Sequence, residues 1–213
     1  MMGKDIPFEV EVRCHFKSTE EAYQILPFLS SCLDREVSYI TTFYGLKLFQ
    51  SGELLRVGEV LIGKDTRYFL VWKGPDIGKF ANIRQELREE ITFGIKNSVI
   101  LKHLGGNYDI NNRNEVIQEL DQLGHRMFMS FEGIDTEGYY EPYDIQVKLM
   151  NCRQLSHLLV EIEKTAHSEE DATRCEEALL EFCGQFRLKD RLIRKEPPTL
   201  LYENLFRPNS KWV

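Results

Sequence analysis

From Pro7 to Phe16 the chain alternates charged and apolar residues, with Glu9, Glu11 and Arg13 set against Val10, Val12 and Cys14. A period of two is that of a β-strand, whose successive side chains point to opposite faces. Ser18 to Glu21 has the spacing of a capping box, and Ala22, Ile25, Leu26 and Leu29 then recur at helical spacing. Strand patterns follow over 39–44, 54–62, 67–73, 82–93, 126–131, 143–150 and 158–164. Gly63-Lys64-Asp65 reads as a hairpin turn, and Gly74-Pro75 ends the strand before it. Helical patterns cover 99–104, 114–123 with an asparagine cap and a Gly124 stop, Ser168 to about Cys183, and 200–206. No repeat, low-complexity tract or linker interrupts this series, so one domain over 1–213 is expected.

Several strands carry dense charge on the face opposite the apolar one. Glu9, Glu11 and Arg13 lie on the first, Arg84, Glu86, Arg88 and Glu90 on the fifth, and Glu161 and Glu163 on the last. Lys148 lies on a neighbouring strand, and Arg56 and Lys73 fall near the ends of two others. A solvated sheet face with cross-strand ion pairs would produce this pattern. So would a closed barrel with a polar interior, because closure makes the alternation run inside against outside. Carboxylates suit hard divalent cations, while arginine and lysine suit phosphate oxygens. Periodicity alone leaves both readings open.

Net charge is −7, which argues against nucleic acid as a general partner, since phosphate backbones favour a basic footprint. No run of apolar residues approaches the ~20 that span a bilayer, and the first residues have no apolar signal core. No membrane association is expected, and a cytoplasmic location is. The cysteines, Cys14, Cys32, Cys152, Cys175 and Cys183, lack CxxC spacing and read as free thiols. His15, His103, His125, His157 and His167 lack paired metal-ligand spacing, and His15 is read as a packing residue. Trp72 is read as core. There is no Walker-type loop and no Gly-x-Ser-x-Gly elbow.

Glu9-Val-Glu11-Val-Arg13, Leu55-Arg56, Lys73-Gly74-Pro75, Arg84-Gln-Glu86-Leu-Arg-Glu-Glu90 and Glu161-Ile-Glu163 occur in this order along nearly the whole chain. Together they resemble the CYTH superfamily, the triphosphate tunnel metalloenzymes that include class IV adenylate cyclases and thiamine triphosphatases. The tail from Glu196 to Phe206 is similar to the cyclase-like branch. The resemblance implies an α+β fold, a closed or nearly closed antiparallel β-barrel of about eight strands with flanking helices. It implies Mg²⁺ or Mn²⁺ held by Glu9, Glu11, Glu86, Glu161 and Glu163. It implies that Arg13, Arg56, Lys73 and Arg84 grip a triphosphate, with Lys148 and Arg126 as further cations. ATP, thiamine triphosphate or tripolyphosphate would be the substrate of an adenylate cyclase-like lyase or a triphosphatase. A homodimer is compatible with the reading, and the general base is unassigned.

The match departs from the family pattern at identifiable places. Arg13 stands where lysine is usual, so a mobile point donor has become a planar fork. Gly58 stands where many members have a second arginine. The strand expected to be rich in lysine and arginine falls on Ser130 to Tyr140, which has Glu132, Asp135 and Glu137 and no basic residue. Residues near Lys96 to Arg113 resemble an insertion. A tunnel that binds a triphosphate or polyphosphate without turnover, and a non-catalytic interaction protein, therefore stand as alternatives.

Overall fold

A computed structural model describes residues 6–206 of the chain. The elements run β1 (Phe8–Phe16), α1 (Thr19–Ile25), α2 (Leu29–Cys32), β2 (Leu33–Tyr44), α3 (Leu46–Gln50), β3 (Leu54–Ile62), β4 (Asp65–Lys73) and β5 (Asn82–Glu90). Then come α4 (Val99–His103), α5 (Arg113–Gln122), β6 (Met127–Tyr140), β7 (Ile145–Cys152), β8 (Leu158–Ala166), α6 (Glu169–Gln185), β9 (Leu192–Ile193) and α7 (Pro197–Phe206). The strands pair in the order β5-β4-β3-β2-β6-β7-β8-β1-β9, and β5 also pairs with β1. That last pairing returns the order to its start. The fold is a closed, eight-stranded antiparallel β-barrel with flanking helices, and β9 adds a short pairing to β1 through Cys14 and Leu192.

Two compact units compose the chain. Among the described residues, one is built from Val37–Asp76 and Arg84–Glu132, the other from Phe8–Glu36, Ile77–Ile83 and residues 133–206. In the second unit the even-numbered residues of β1, Val10, Val12, Cys14 and Phe16, are buried with Val160 and Ile162 of β8. Ala172, Cys175, Leu179 and Phe182 of α6 complete that core, as the helical spacing predicts. In the first unit Tyr44, Leu55, Val57, Leu70 and Trp72 pack with Ile100, Leu101, Val116 and Leu120. The apparent insertion thus supplies core: Ile100, Leu101 and Ile110 are buried, and Ile95 bridges Ile110.

Helix starts follow local chemistry. Ser18, Ser98, Asn112 and Ser168 accept hydrogen bonds from Glu21, Leu101, Glu115 and Asp171 N–H groups. The capping asparagine of α5 is thus Asn112, two residues before the expected start. Glu21 reaches back to the Lys17 N–H at 2.6 Å.

Several strand boundaries differ from expectation: β2 begins at Leu33, β4 at Asp65 and β7 at Ile145, and the ends of β6 and β5 have visible causes. β6 runs on to Tyr140 although its second half is polar on both faces, because Gly133 to Tyr140 pair with Cys152 to Ile145. Gly138 permits the approach of α2, since a Cβ there would lie 1.7 Å from the Cys32 carbonyl oxygen. β5 stops at Glu90, where Ile91 N–H turns to the Tyr68 carbonyl. Among the described residues no helix is long and apolar enough to cross a membrane. All five cysteines are free and buried.

Candidate functional site

In the second unit the β1–β8 register pairs Glu11 with Glu163 and Arg13 with Glu161, and the β7–β8 register pairs Gln146 with Glu163 and Lys148 with Glu161. Paired residues of an antiparallel ladder share a face. One face therefore carries Glu9, Glu11, Arg13, Glu161, Glu163 and Lys148. β6 extends it, since Glu137 pairs with Lys148 and Asp135 lies two residues earlier. Period two also puts His15 on this charged face of β1, not among the packed apolar residues as expected from sequence. It is half-buried, with Nδ1 3.0 Å from the Arg191 carbonyl oxygen.

Arg13 lies at the centre of a carboxylate network. It is 2% exposed, its Nε donates to Glu161 at 2.5 Å and Nη1 to Asn82 Oδ1 at 2.7 Å, and Nη2 donates to Glu11. Glu196 stands 3.9 Å from Nη2. Burial disfavours the guanidinium charge, but Glu11, Glu161 and Glu196 outweigh it and hold the group above its ordinary range. Lys148 behaves alike: burial opposes its charge, and Glu161, Glu163, Asp135 and Glu137 raise its pKa nonetheless. Its ammonium lies 3.5 Å from Glu161.

Glu9, Glu11 and Glu163 each offer a carboxylate oxygen, and these oxygens all lie within 4.8 Å of one another. Three oxygen donors gathered this closely repel one another unless a positive charge stands between them, and they fit a hard divalent cation in donor type. Glu161 lies outside this group and is held by Arg13 and Lys148.

In the first unit Lys73 Nζ stands 3.2 Å from Glu86 across the β4–β5 ladder, where the two are directly paired. Arg84 is buried and its Nη1 donates to the carbonyls of Gly52 and Gly74, at 2.5 Å each. It thereby fixes the turn after the Lys73-Gly74-Pro75 strand end. Arg56 is half-buried on β3, directly paired with Val71. Arg126 is exposed and lies between α5 and β6, outside the strands.

Sequence reasoning missed four contributors. Asn82 opens β5 two residues before Arg84, on the charged alternation, and that period was the available signal. Glu196 precedes α7, where no periodicity marks it. Glu176 of α6 is buried and accepts hydrogen bonds from the N–H groups of Lys79, Phe80 and Ala81, at 3.1, 2.8 and 2.8 Å. Arg194 donates to the carbonyls of Gly78, Lys79 and Ala81. The segment entering Asn82 is therefore pinned through both its donors and its acceptors.

No family model and no curated protein matches the chain. Solved structures do. A candidate adenylate cyclase of Vibrio parahaemolyticus superposes with a TM-score of 0.66 at 16% identity, covering 91% of this chain and 97% of that one. A candidate adenylyl cyclase of Hippeastrum, reported to have a dominant triphosphatase activity, gives 0.58 at 13% identity, over 93% and 96%. A chain of the Schizosaccharomyces pombe Mediator head module gives 0.58 at 12% identity, over 88% and 98%. At these identities the likeness is one of fold. The barrel that the sequence resemblance implies is thus shared with these structures in fold.

Proposed function

We propose that this chain, which has the fold of CYTH-type adenylate cyclases and triphosphatases, is a metal-dependent enzyme acting on a triphosphate. The observation that carries the reading is the Glu9–Glu11–Glu163 cluster, whose oxygens lie within 4.8 Å of one another on the charged face of β1 and β8. These carboxylates would hold Mg²⁺ or Mn²⁺, and the bound ion would neutralise charge on phosphate oxygens. Lys148, Arg56, Lys73, Arg84 and Arg126 are the cations that the resemblance gives to the triphosphate. Phosphoryl and nucleotidyl transfer need chiefly positioning and charge neutralisation, so fixed carboxylates and cations supply most of what the reaction requires. A hydrolase would align water on the terminal phosphorus. A cyclase would align the ribose 3′-hydroxyl of ATP on the α-phosphorus.

The test is the double variant Glu9→Gln with Glu11→Gln. It removes two anionic ligands while keeping side-chain volume, so metal-dependent turnover is expected to vanish with the thermal transition retained. Unchanged turnover would remove the metal role.

A second reading, binding without turnover, is favoured by one observation. β6 presents Asp135 and Glu137 to Lys148, where the family pattern has basic residues. A thermal shift with tripolyphosphate and Mn²⁺, without release of phosphate, pyrophosphate or cyclic nucleotide, would support it.

A further inference from the structure

We infer that Arg13 is a positioning residue of the cation site and not a ligand of the triphosphate. This inference rests on the metal role proposed for Glu9, Glu11 and Glu163, and it departs from what the resemblance assigns to this position. The guanidinium is buried at 2% exposure, and each of its three nitrogens donates within the protein: Nε to Glu161, Nη1 to Asn82 and Nη2 to Glu11. A planar fork fixes its partners in one plane and direction, which an ammonium on a flexible stem does not. Arg13 therefore sets the orientation of the Glu11 carboxylate, whose oxygen joins those of Glu9 and Glu163.

The fork is itself held. Asn82 receives Nη1, and the residues just before it are fixed by Glu176 through the N–H groups of Lys79, Phe80 and Ala81. Arg194 fixes their carbonyls. The chain of contacts runs from α6 through residues 78–81 to Asn82, Arg13 and Glu11. Substituting arginine for lysine thus changes the job of the position: the cation has turned from substrate to scaffold. Glu161, which pairs with Arg13 and Lys148 and lies outside the Glu9–Glu11–Glu163 oxygen cluster, belongs to this scaffold and not to the cation's own ligands.

The two roles separate in binding measurements on the full chain. Mn²⁺ affinity is read without phosphate by electron paramagnetic resonance, and tripolyphosphate affinity is read without metal by calorimetry. Arg13→Lys keeps the charge and removes the fork. The inference predicts at least a tenfold loss of Mn²⁺ affinity with tripolyphosphate affinity unchanged within twofold. Asn82→Ala, which leaves every charge in place, is expected to weaken Mn²⁺ in the same direction. In turnover, both variants raise the Mn²⁺ concentration needed for half-maximal rate and leave KM for the triphosphate unchanged at saturating metal. Weaker tripolyphosphate binding by Arg13→Lys, with Mn²⁺ affinity intact, would make Arg13 a phosphate ligand and overturn the inference. A loss of both affinities, or of neither, overturns it too. If Arg13→Lys does not fold, Asn82→Ala decides, and wild-type Mn²⁺ affinity in that variant overturns it. A wild-type chain that binds no Mn²⁺ overturns the metal role and this inference with it, whereas equal binding by wild type and both variants overturns only the inference.

Discussion

Arg13 and Glu161 stand 148 positions apart in sequence, yet they are direct partners in the β1–β8 register, and Nε of one donates to the other at 2.5 Å. Both are buried, and the pair is held in a larger network by Glu11, Asn82 and Lys148. Breaking an isolated buried pair from one side costs about 3–5 kcal/mol, and here Glu11 and Glu196 remain beside Arg13 to offset part of that. Glu161→Ala is therefore expected to lower unfolding free energy in urea titrations, by less than about 3–5 kcal/mol. Glu161→Gln, which keeps an acceptor for Nε, should cost less. Equal stability of Glu161→Ala and wild type would show that the network contributes nothing.

Glu176 gives a sharper local prediction. Its Oε1 serves three backbone N–H groups inside the second unit. Glu176→Ala removes the acceptor from all three and leaves the buried Ala81 N–H unsatisfied, at a cost of about 1–3 kcal/mol. Hydrogen exchange at Lys79, Phe80 and Ala81 should accelerate more than at amides of β8. Uniform acceleration throughout would mean that the residue acts only on global stability.

Glu21 sets a pH dependence. Its pKa is held below the ordinary glutamate value, chiefly by the hydrogen bond from Lys17 N–H and then by Arg191. A group depressed in the folded state stabilises at pH above its unfolded value. That contribution is lost as pH falls from the ordinary glutamate range through the depressed value. Glu21→Gln should flatten this part of the acid limb of a stability–pH curve and leave the curve's shape near neutrality unchanged. An identical acid limb in the variant would contradict the assignment.

Much of this architecture was legible because alternation survives wherever one face is buried. The β1 pattern, the β3 boundaries, the end of β4 and the α6 stripe all follow from side-chain period. The second half of β6 was not legible, because Glu132, Asp135 and Glu137 place carboxylates on both faces, and glycines interrupt the run. At the site, residue types were legible and partnerships were not. Period two puts Arg13 beside Glu11, but nothing local shows that Glu161, Asn82 and Glu196 will surround it. His15 was misplaced for a simpler reason: counting by twos from Glu9 reaches it.

Gly58 offers a gain-of-function test. It pairs with Phe69 on β4 and Thr41 on β2, two residues from Arg56, and a Cβ built there meets nothing within 4 Å. Gly58→Arg restores the second arginine of the family pattern at a position with room for a Cβ. Tripolyphosphate affinity is expected to rise several-fold in calorimetry, with the unfolding midpoint unchanged. Unaltered affinity in a folded variant would argue that this stretch of β3 does not face the phosphates.

Glu9, Glu11 and Glu163 are proposed to hold a divalent cation for work on a triphosphate. Product analysis tests it most directly, with ATP, thiamine triphosphate and tripolyphosphate each incubated with Mg²⁺ or Mn²⁺. The account predicts metal-dependent release of phosphate, or of pyrophosphate with cyclic nucleotide, from at least one substrate, abolished by Glu9→Gln with Glu11→Gln. Turnover that persists in chelator, or that survives the double variant, would contradict it, as would the absence of every product under all conditions.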